Sequence, residues 1–264
     1  MRVDLSTEPG DPRNPNEDYV SAALPASGQG GALVLLDGVT PPESDTGCIH
    51  GVPWFTARLG GRMLELSGSR RDMTLAHCLA ESIRLTAEVH RASCDLSHLL
   101  TPQSTVVAAR WDAERVEHLV LSDSALLIEC TDGRVTTVLD DRIDRLRAAG
   151  RRVAPLRNAE GGFFTAAADP DVAHRAVTGT SARAEVRALA ALTDGASRWV
   201  EVFHEGDWAD CLALLRTEGT RSLLDRVRAA EAADPEGAAF RRGKARDDKA
   251  AIFVELGGSE LRRP

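Results

Sequence analysis

The feature that most constrains this chain is an apolar run that ends directly on an acidic residue. Residues 33–36, Leu-Val-Leu-Leu, are apolar without alternation, which is typical of a strand covered on both faces. Asp37 and Gly38 follow at once. A carboxylate at the end of a buried strand is held rigidly near solvent, and a neighbouring glycine permits close approach of the backbone. The position suits a metal ion, although Asp-Gly between apolar runs is also a common hairpin turn.

The same arrangement, an apolar run beside an acid and small residues, recurs at three further places. Two runs lead into Ser-Asp-Ser and Thr-Asp-Gly, and an Asp-Asp pair precedes the last predicted strand. Hard divalent cations take oxygen ligands from several carboxylates, a backbone carbonyl and water. We therefore predict a Mg²⁺ or Mn²⁺ site, against the alternatives that each acid is only turn chemistry or that the acids never converge. The four acids are Asp37, Asp123, Asp194 and Asp247.

A further polar segment lies near the start of the chain. Arg13 precedes the adjacent acids Glu17 and Asp18 by a few residues. The planar guanidinium matches two phosphate oxygens, while the acids can hold metal ions that bridge to the same phosphate. The alternative is an ordinary polar loop with a surface ion pair.

Composition restricts the classes of function. The 264 residues carry a formal net charge of −8 and only 4% aromatic residues, so neither a general phosphate-backbone binder nor a stacking platform for single-stranded nucleic acid is favoured. Hydrophobic residues at 43% are ordinary for a globular chain, and no linker-like stretch divides it. We expect one domain, residues 1–264.

The cysteine pattern and the absence of long apolar runs bear on location. Five cysteines without a Cys-x-x-Cys pair argue against a zinc knuckle and against a secreted disulfide scaffold. His77 and His90 are expected at the surface or boundary of a helix rather than as ligands. With no signal pattern at residues 1–10 and no run long enough to span a bilayer, a cytoplasmic protein is expected.

Periodicity predicts a chain of mixed strands and helices. Paired strands over 20–24 and 32–36 are joined by a glycine-rich loop, and an antiparallel meander occupies 104–139. Helices are predicted over 54–67, 75–94, 140–150, 208–217 and 222–233, and a final strand over 250–256. The irregular segment between the third helix and residue 180 is interpreted as a mobile cover or partner-binding flap. In the second helix the residues expected to face a sheet are Leu75, Leu79, Ile83, Thr86 and Val89.

Six short motifs follow one another along the chain: Arg13, Asn-Glu-Asp at 16–18, Asp37-Gly38, Ser-Asp-Ser at 122–124, Thr-Asp-Gly at 193–195 and Asp247-Asp248. In order and spacing they resemble the motifs of the metal-dependent type 2C protein phosphatases, the PPM family. The resemblance covers about residues 13–256. It implies an α+β fold, a four-layer α-β-β-α sandwich of two antiparallel sheets flanked by helix pairs. The metals would lie in a cleft at one edge, and residues 142–180 correspond to a flap.

The resemblance also implies roles for the acids. Asp37 would be shared by two Mn²⁺ or Mg²⁺ ions that activate a water, and Arg13 would clamp the substrate phosphate. The implied metal ligands are Glu17 or Asp18, Asp37, the Gly38 carbonyl, Asp194 and Asp247, with Asp123 at a weaker third ion. The implied activity is hydrolysis of phosphoserine or phosphothreonine in a protein substrate, by a monomer that binds neither nucleic acid nor membrane.

The departures from the family pattern keep a second function open. Val-Thr-Pro follows Asp37-Gly38 in this chain, whereas the family has Asp-Gly-x-Gly-Gly. In some members of the family a histidine follows the first glycine and is thought to act as general acid. Ser-Asp-Ser-Ala replaces Gly-Asp-Ser-Arg, and Asp-Asp replaces Asp-Asn. The alternative is a catalytically weak or silent phosphatase-fold protein that binds or regulates a partner. Cysteine and serine nucleophiles have no support, since the Cys-x5-Arg spacing of Cys78 and Arg84 falls within the predicted helix 75–94 and not in a phosphate loop, and no Gly-x-Ser-x-Gly elbow is present.

Overall fold

The computed structural model describes residues 1–27, 30–42 and 44–257. Gly28 and Gln29, in the predicted glycine-rich loop, lie outside the described residues. The strands are β1 (Arg2–Glu8), β2 (Tyr19–Ala23), β3 (Gly31–Leu36), β4 (Val106–Trp111), β5 (Arg115–Leu121), β6 (Ala125–Cys130), β7 (Val135–Val138), β8 (Val177–Ala182), β9 (Val186–Leu192) and β10 (Lys249–Glu255). The helices are α1 (Val52–Ser69), α2 (Leu75–His90), α3 (Arg142–Ala148), α4 (Asp194–Glu201), α5 (Trp208–Thr217) and α6 (Thr220–Ala233).

The strands form two antiparallel five-stranded sheets. The first sheet has the order β1-β10-β9-β6-β7 and the second the order β2-β3-β4-β5-β8. The first sheet therefore combines strands from both ends of the chain, in the pairing of β1 with β10. This pairing brings residues that are more than two hundred positions apart in sequence, such as Arg2 and Glu255, next to each other.

Three apolar layers hold the two sheets and the helices together. Helices α1 and α2 cover the outer face of the second sheet, and α4, α5 and α6 cover the outer face of the first. Between the sheets, side chains such as Leu35, Val107 and Ile252 form a fully buried third layer. The strands β3 and β10 are thus apolar on both faces, as the unalternating sequence of β3 indicated. The predicted α+β, four-layer α-β-β-α sandwich is confirmed.

Helix α2 corrects two predictions. It begins after Thr74, whose hydroxyl accepts a hydrogen bond from the His77 amide, and it ends at His90, so residues 91–94 lie beyond it. His90 was expected at the surface but is only 2% exposed, whereas Val89 was expected in the core but is 49% exposed. The buried stripe continues from Ile83 with three- and four-residue steps to position 90, and position 89 falls off that stripe.

The segment predicted to be irregular up to residue 180 is more ordered than its composition indicated. Short 3₁₀ turns span Ala154–Leu156 and Pro170–Arg175, and β8 then adds an edge strand beside β5. The sequence of β8, Val-Thr-Gly-Thr-Ser-Ala, lacks the apolar alternation that identifies a strand, so the pairing with β5 was not predicted. The role of residues 142–180 as a flap and the extent of the single domain stay predictions.

None of the helices in the described ranges combines the length and the apolar character that a membrane span requires.

The corrected phase of α2 leads to a stability prediction. Leu79 is fully buried against the second sheet, so Leu79→Ala is expected to lower the free energy of unfolding by about 2–5 kcal/mol. Val89→Ala in the same helix should change it by no more than about 0.5 kcal/mol. Urea unfolding of both variants checks the prediction, and equal losses would show that the assigned helix face is wrong.

A candidate metal centre at the edge of the sandwich

The site begins where one strand of each sheet ends. Asp37 directly follows β3 of the second sheet, and Asp194 opens α4 directly after β9 of the first. The Asp194 amide donates a hydrogen bond to Asp37 Oδ2 at 3.3 Å. Thr105 fixes the backbone of Asp37 from the other side, since its hydroxyl accepts from the Asp37 amide at 3.1 Å. The two aspartates therefore connect the sheets at one edge of the sandwich.

Asp18 joins the same edge from the start of β2. The Thr193 hydroxyl donates to Asp18 Oδ2 at 2.9 Å and accepts from the Ala250 amide at 2.9 Å. One threonine thus connects the acid before β2 with the strand β10 of the other sheet. The predicted neighbours Asp18, Asp37 and Asp194 are brought together by these contacts.

Asp247 lies between two cationic side chains. Arg198 of α4 is 2.7 Å from Asp247 Oδ2, and the Lys244 ammonium is 2.7 Å from Asp247 Oδ1. Behind it, Arg198 and Lys249 share the buried carboxylate of Glu231 at 2.6 and 2.9 Å. Both Asp247 oxygens are therefore paired with cations, an arrangement that its predicted role as a metal ligand did not include.

Asp248 and two glycines set the position of the N-terminal loop. The Asp248 carboxylate accepts hydrogen bonds from the Gly10 and Glu17 amides, each at 2.7 Å. A Cβ on Gly38 would collide with the backbone carbonyl of Glu17, and one on Gly195 would collide with that of Asp248. The glycine after each aspartate is thus needed for close backbone packing.

The remaining predicted residues lie around this centre. Glu17 accepts a hydrogen bond from the Thr40 hydroxyl and, with Asp247, lines a cavity of about 910 Å³. Asp123, in the turn after β5, lines a second cavity of about 890 Å³ together with Asp194. Arg13 reaches none of the acids of this centre: its guanidinium is 86% exposed, at the rim of the first cavity, and pairs with Asp11 at 2.5 Å.

Burial and repulsion between neighbouring carboxylates raise the pKa values of the acids at this centre. Removal from solvent raises the pKa of Asp37 and of Asp18 well above the usual range. Repulsion from Asp194 and Asp18 adds to the shift of Asp37, and repulsion from Asp248 and Asp194 adds to that of Asp18. Burial and Asp194 raise the pKa of Asp123 to about 6. Burial also raises the pKa of Asp247, although Lys244 and Arg198 oppose that shift.

These shifts test whether the residues fit a metal. Raised carboxyl pKa values mean that the nearby cationic side chains do not neutralise the centre, so divalent cations would relieve the repulsion. The donors are all oxygens, which is the set that Mg²⁺ and Mn²⁺ prefer. The donor chemistry fits, while the ligand assignments themselves, including the Gly38 carbonyl, stay predictions.

Lys244 is a cationic side chain of this centre that sequence analysis did not connect with Asp247. It lies three residues before Asp247, and its ammonium also contacts the Thr40 hydroxyl at 3.0 Å. Burial would lower its pKa, but the attraction of Asp247, Asp37 and Asp194 outweighs burial and raises it. The Lys-x-x-Asp spacing was visible in the sequence. The pairing of Asp247 with Arg198, 49 positions away, carries no local signal.

Comparison with known proteins identifies the fold. No protein-family model and no curated protein sequence matches the chain. Solved structures do: Stp1, a serine/threonine phosphatase from Staphylococcus aureus, superposes with a TM-score of 0.64 at 14% identity, covering 98% of this chain and 96% of that chain. The Mycobacterium tuberculosis serine/threonine phosphatase PstP/Ppp gives 0.62 at 16%, covering 97% and 98%. The catalytic domain of PstP with two manganese ions gives 0.60 at 17%, covering 96% and 97%.

The similarity extends over nearly the whole of each chain at low identity. This chain therefore has the fold of the bacterial serine/threonine phosphatases, and the resemblance stated from its sequence motifs is confirmed at the level of the fold.

The raised pKa of Asp123 predicts a pH-dependent effect on stability. The folded protein binds a proton at Asp123 up to about pH 6, whereas the unfolded chain releases it near 3.8, so this group lowers stability as pH rises through that window. In EDTA at pH 8, Asp123→Asn should raise the free energy of unfolding by about 1–2 kcal/mol, allowing for partial solvent exposure. The gain should shrink at pH 5. Urea unfolding at both pH values measures it, and a pH-independent difference would contradict the assignment.

Proposed function

We propose that the protein is a metal-dependent phosphatase that hydrolyses phosphoserine or phosphothreonine in protein substrates. The observation that carries the proposal is the hydrogen bond between Asp194 and Asp37, which joins half-buried acids of opposite sheets within a phosphatase fold. The manganese ions in the PstP structure support metal dependence by analogy. The same proposal places the protein in the reducing cytoplasm and gives it a role in signalling by reversible phosphorylation.

The acids would hold two cations beside the first cavity. Asp37 would be shared, with Glu17 or Asp18 on one side and Asp194 and Asp247 on the other. Two Mn²⁺ or Mg²⁺ ions, when bound, would supply Lewis acidity toward the phosphoryl oxygens and acidify the attacking water. Asp123 would contribute to a weaker third site from the second cavity.

The chain's own cations would serve the substrate phosphate. Arg13 lies at the rim of the cavity that Glu17 and Asp247 line, and its bond to Asp11 is exposed, so exchange of that partner for a phosphate costs little. Lys244 is placed deeper, between Thr40 and Asp247. Both side chains would offset negative charge on the phosphoryl oxygens.

An activity measurement tests the proposal. With Mn²⁺, the wild type should hydrolyse p-nitrophenyl phosphate and a phosphothreonine peptide, and Asp37→Asn or Asp194→Asn should lower kcat/KM by about 100-fold or more, since each removes a carboxylate from the shared centre. Asp225→Asn, which breaks an exposed ion pair on α6, is the matched control and should leave kcat/KM unchanged. Wild-type rates no higher than those of Asp37→Asn would refute catalysis.

A second function is favoured by the cations around Asp247. With Lys244 and Arg198 on its two oxygens, that acid already has cationic partners within the protein, which suits a protein that binds a phosphorylated partner without hydrolysing it. Lys244 would then serve as a permanent replacement for one metal ion.

Lys244→Met separates the two functions. If the protein is an enzyme, removal of the competing ammonium should strengthen Mn²⁺ binding several-fold in calorimetry, because Asp247 is freed. If it is a silent binder, the wild type should bind a phosphothreonine peptide in EDTA, and Lys244→Met should lose that binding while the exposed control Arg226→Met, on α6, retains it. Absence of peptide binding in EDTA would exclude the silent binder.

A further inference from the structure

A second group of metal-binding side chains lies away from the carboxylates. Cys48 and His50 belong to the segment before α1, His90 is the last residue of α2, and Cys94 follows in the turn after it. One ligand atom from each of the four lies within 4.8 Å of all the others. Among the residues that the structure describes, no other set of three or more cysteine, histidine or acidic side chains meets that criterion.

The separations within this group match a tetrahedral metal site. The sulfur atoms of Cys48 and Cys94 are 3.1 Å apart, and Nδ1 of His90 is 3.4 Å from Cys48 Sγ. Nδ1 of His50 is 3.4 Å from Cys94 Sγ and 3.7 Å from Cys48 Sγ. Tetrahedral Zn²⁺ with bonds of about 2.3 Å to sulfur and about 2.0 Å to nitrogen keeps its ligand atoms about 3.3–3.8 Å apart. Small shifts would therefore complete the coordination.

The surroundings hold the imidazole rings in place. His90 is buried, and Trp54 of α1 stacks on the His50 ring with centroids 4.0 Å apart. The Trp54 ring also lies 5.1 Å from that of His90. A disulfide between the two cysteines would leave unexplained why two imidazole nitrogens converge on the same sulfur atoms.

We propose that Cys48, His50, His90 and Cys94 form a structural zinc site. Two thiolates and two imidazoles are a donor set that selects Zn²⁺ over Mg²⁺ and Mn²⁺, which prefer oxygen. Four protein ligands leave no open position, so the site is structural and not catalytic. The ligands form the pattern Cys-x-His and His-x3-Cys, which differs from the Cys-x-x-Cys pattern whose absence argued against a zinc knuckle.

The ion would cross-link the segment before α1 to the end of α2. None of the residues that the structure describes between 39 and 51 is buried, and Ile49 is 77% exposed. A hydrogen bond from the Asp95 amide to the Gly47 carbonyl, at 2.7 Å, already joins the two parts beside the proposed ion. Thr40, Pro41 and Gly51 from the same segment form one wall of the cavity that Glu17 and Asp247 line. Zinc would thus fix a wall of that cavity without touching the carboxylates.

Metal analysis tests the proposal directly. The untagged protein, purified without chelator, should contain about one zinc per chain by elemental analysis. Cys48→Ser and Cys94→Ser should each lose most of it, whereas Cys130→Ser, a cysteine at the end of β6, should retain it. Asp37→Asn should also retain it, which separates this site from the carboxylate centre and from the outcome of the phosphatase assays.

Two measurements keep the test decisive if the cysteine variants fail to fold. Wild-type protein reloaded with Co²⁺ should show the intense visible bands of tetrahedral thiolate ligation. Hydrogen exchange in peptides from residues 44–51 and 91–100 should rise when zinc is removed by a chelator and fall when zinc is restored. Zinc-free protein with an intact mass that shows a disulfide between Cys48 and Cys94, or zinc that is lost in Asp37→Asn but kept in Cys94→Ser, would overturn the proposal.

Discussion

Mutual repulsion among half-buried carboxylates at one edge of the sandwich is the constraint on which this structure depends. Asp18 raises the pKa of Asp37, Asp248 raises that of Asp18, and Asp194 raises the pKa of both. Such a group persists in a folded protein only where cations or protons offset it. The chain supplies part of the compensation through Arg198 and Lys249, which are buried behind Asp247. The remainder must come from protons or from added cations, and this is why the acids respond to pH and suit divalent ions.

The order of the strands makes this concentration of charge possible. The strand β3 lies in one sheet and β9 in the other, yet both end at the same edge, where a hydrogen bond joins Asp194 to Asp37. The glycine after each aspartate lets a second backbone pack against it, so Glu17 and Asp248 are held beside the centre by main-chain contacts. Packing of the apolar layers therefore fixes the acids, and their own electrostatics oppose the arrangement. Stability and site chemistry are coupled at this edge.

Sequence reasoning identified what short patterns encode and missed what depends on distant pairings. The apolar runs ending on Asp37 and Asp194 located strand ends correctly, because burial on both faces leaves a clear local signal. The stripe of α2 was predicted only in part: Leu79 was right, but Val89 was placed on the wrong face. The strand β8 was missed because small polar residues form it and only its pairing with β5 defines it. Of the two cations on Asp247, Arg198 comes from 49 positions away, a separation that no sequence window spans.

The group formed by Cys48, His50, His90 and Cys94 also depends on distant pairings that short sequence patterns do not reveal. Each half, Cys-x-His and His-x3-Cys, is too short to indicate a site, and 42 positions separate Cys48 from His90. Their convergence depends on the packing of α1 against α2, which places Trp54 on the His50 ring. The segment before α1 is anchored at its start, where the Val39 amide bonds to the Gln103 carbonyl, and at its end by the helix. None of the described residues in its middle, 41–42 and 44–50, is buried, so polar or metal bonds there would contribute to the order of the cavity wall. Soft donors suit that task beside a carboxylate centre, because sulfur and imidazole do not compete for the ions that oxygen prefers.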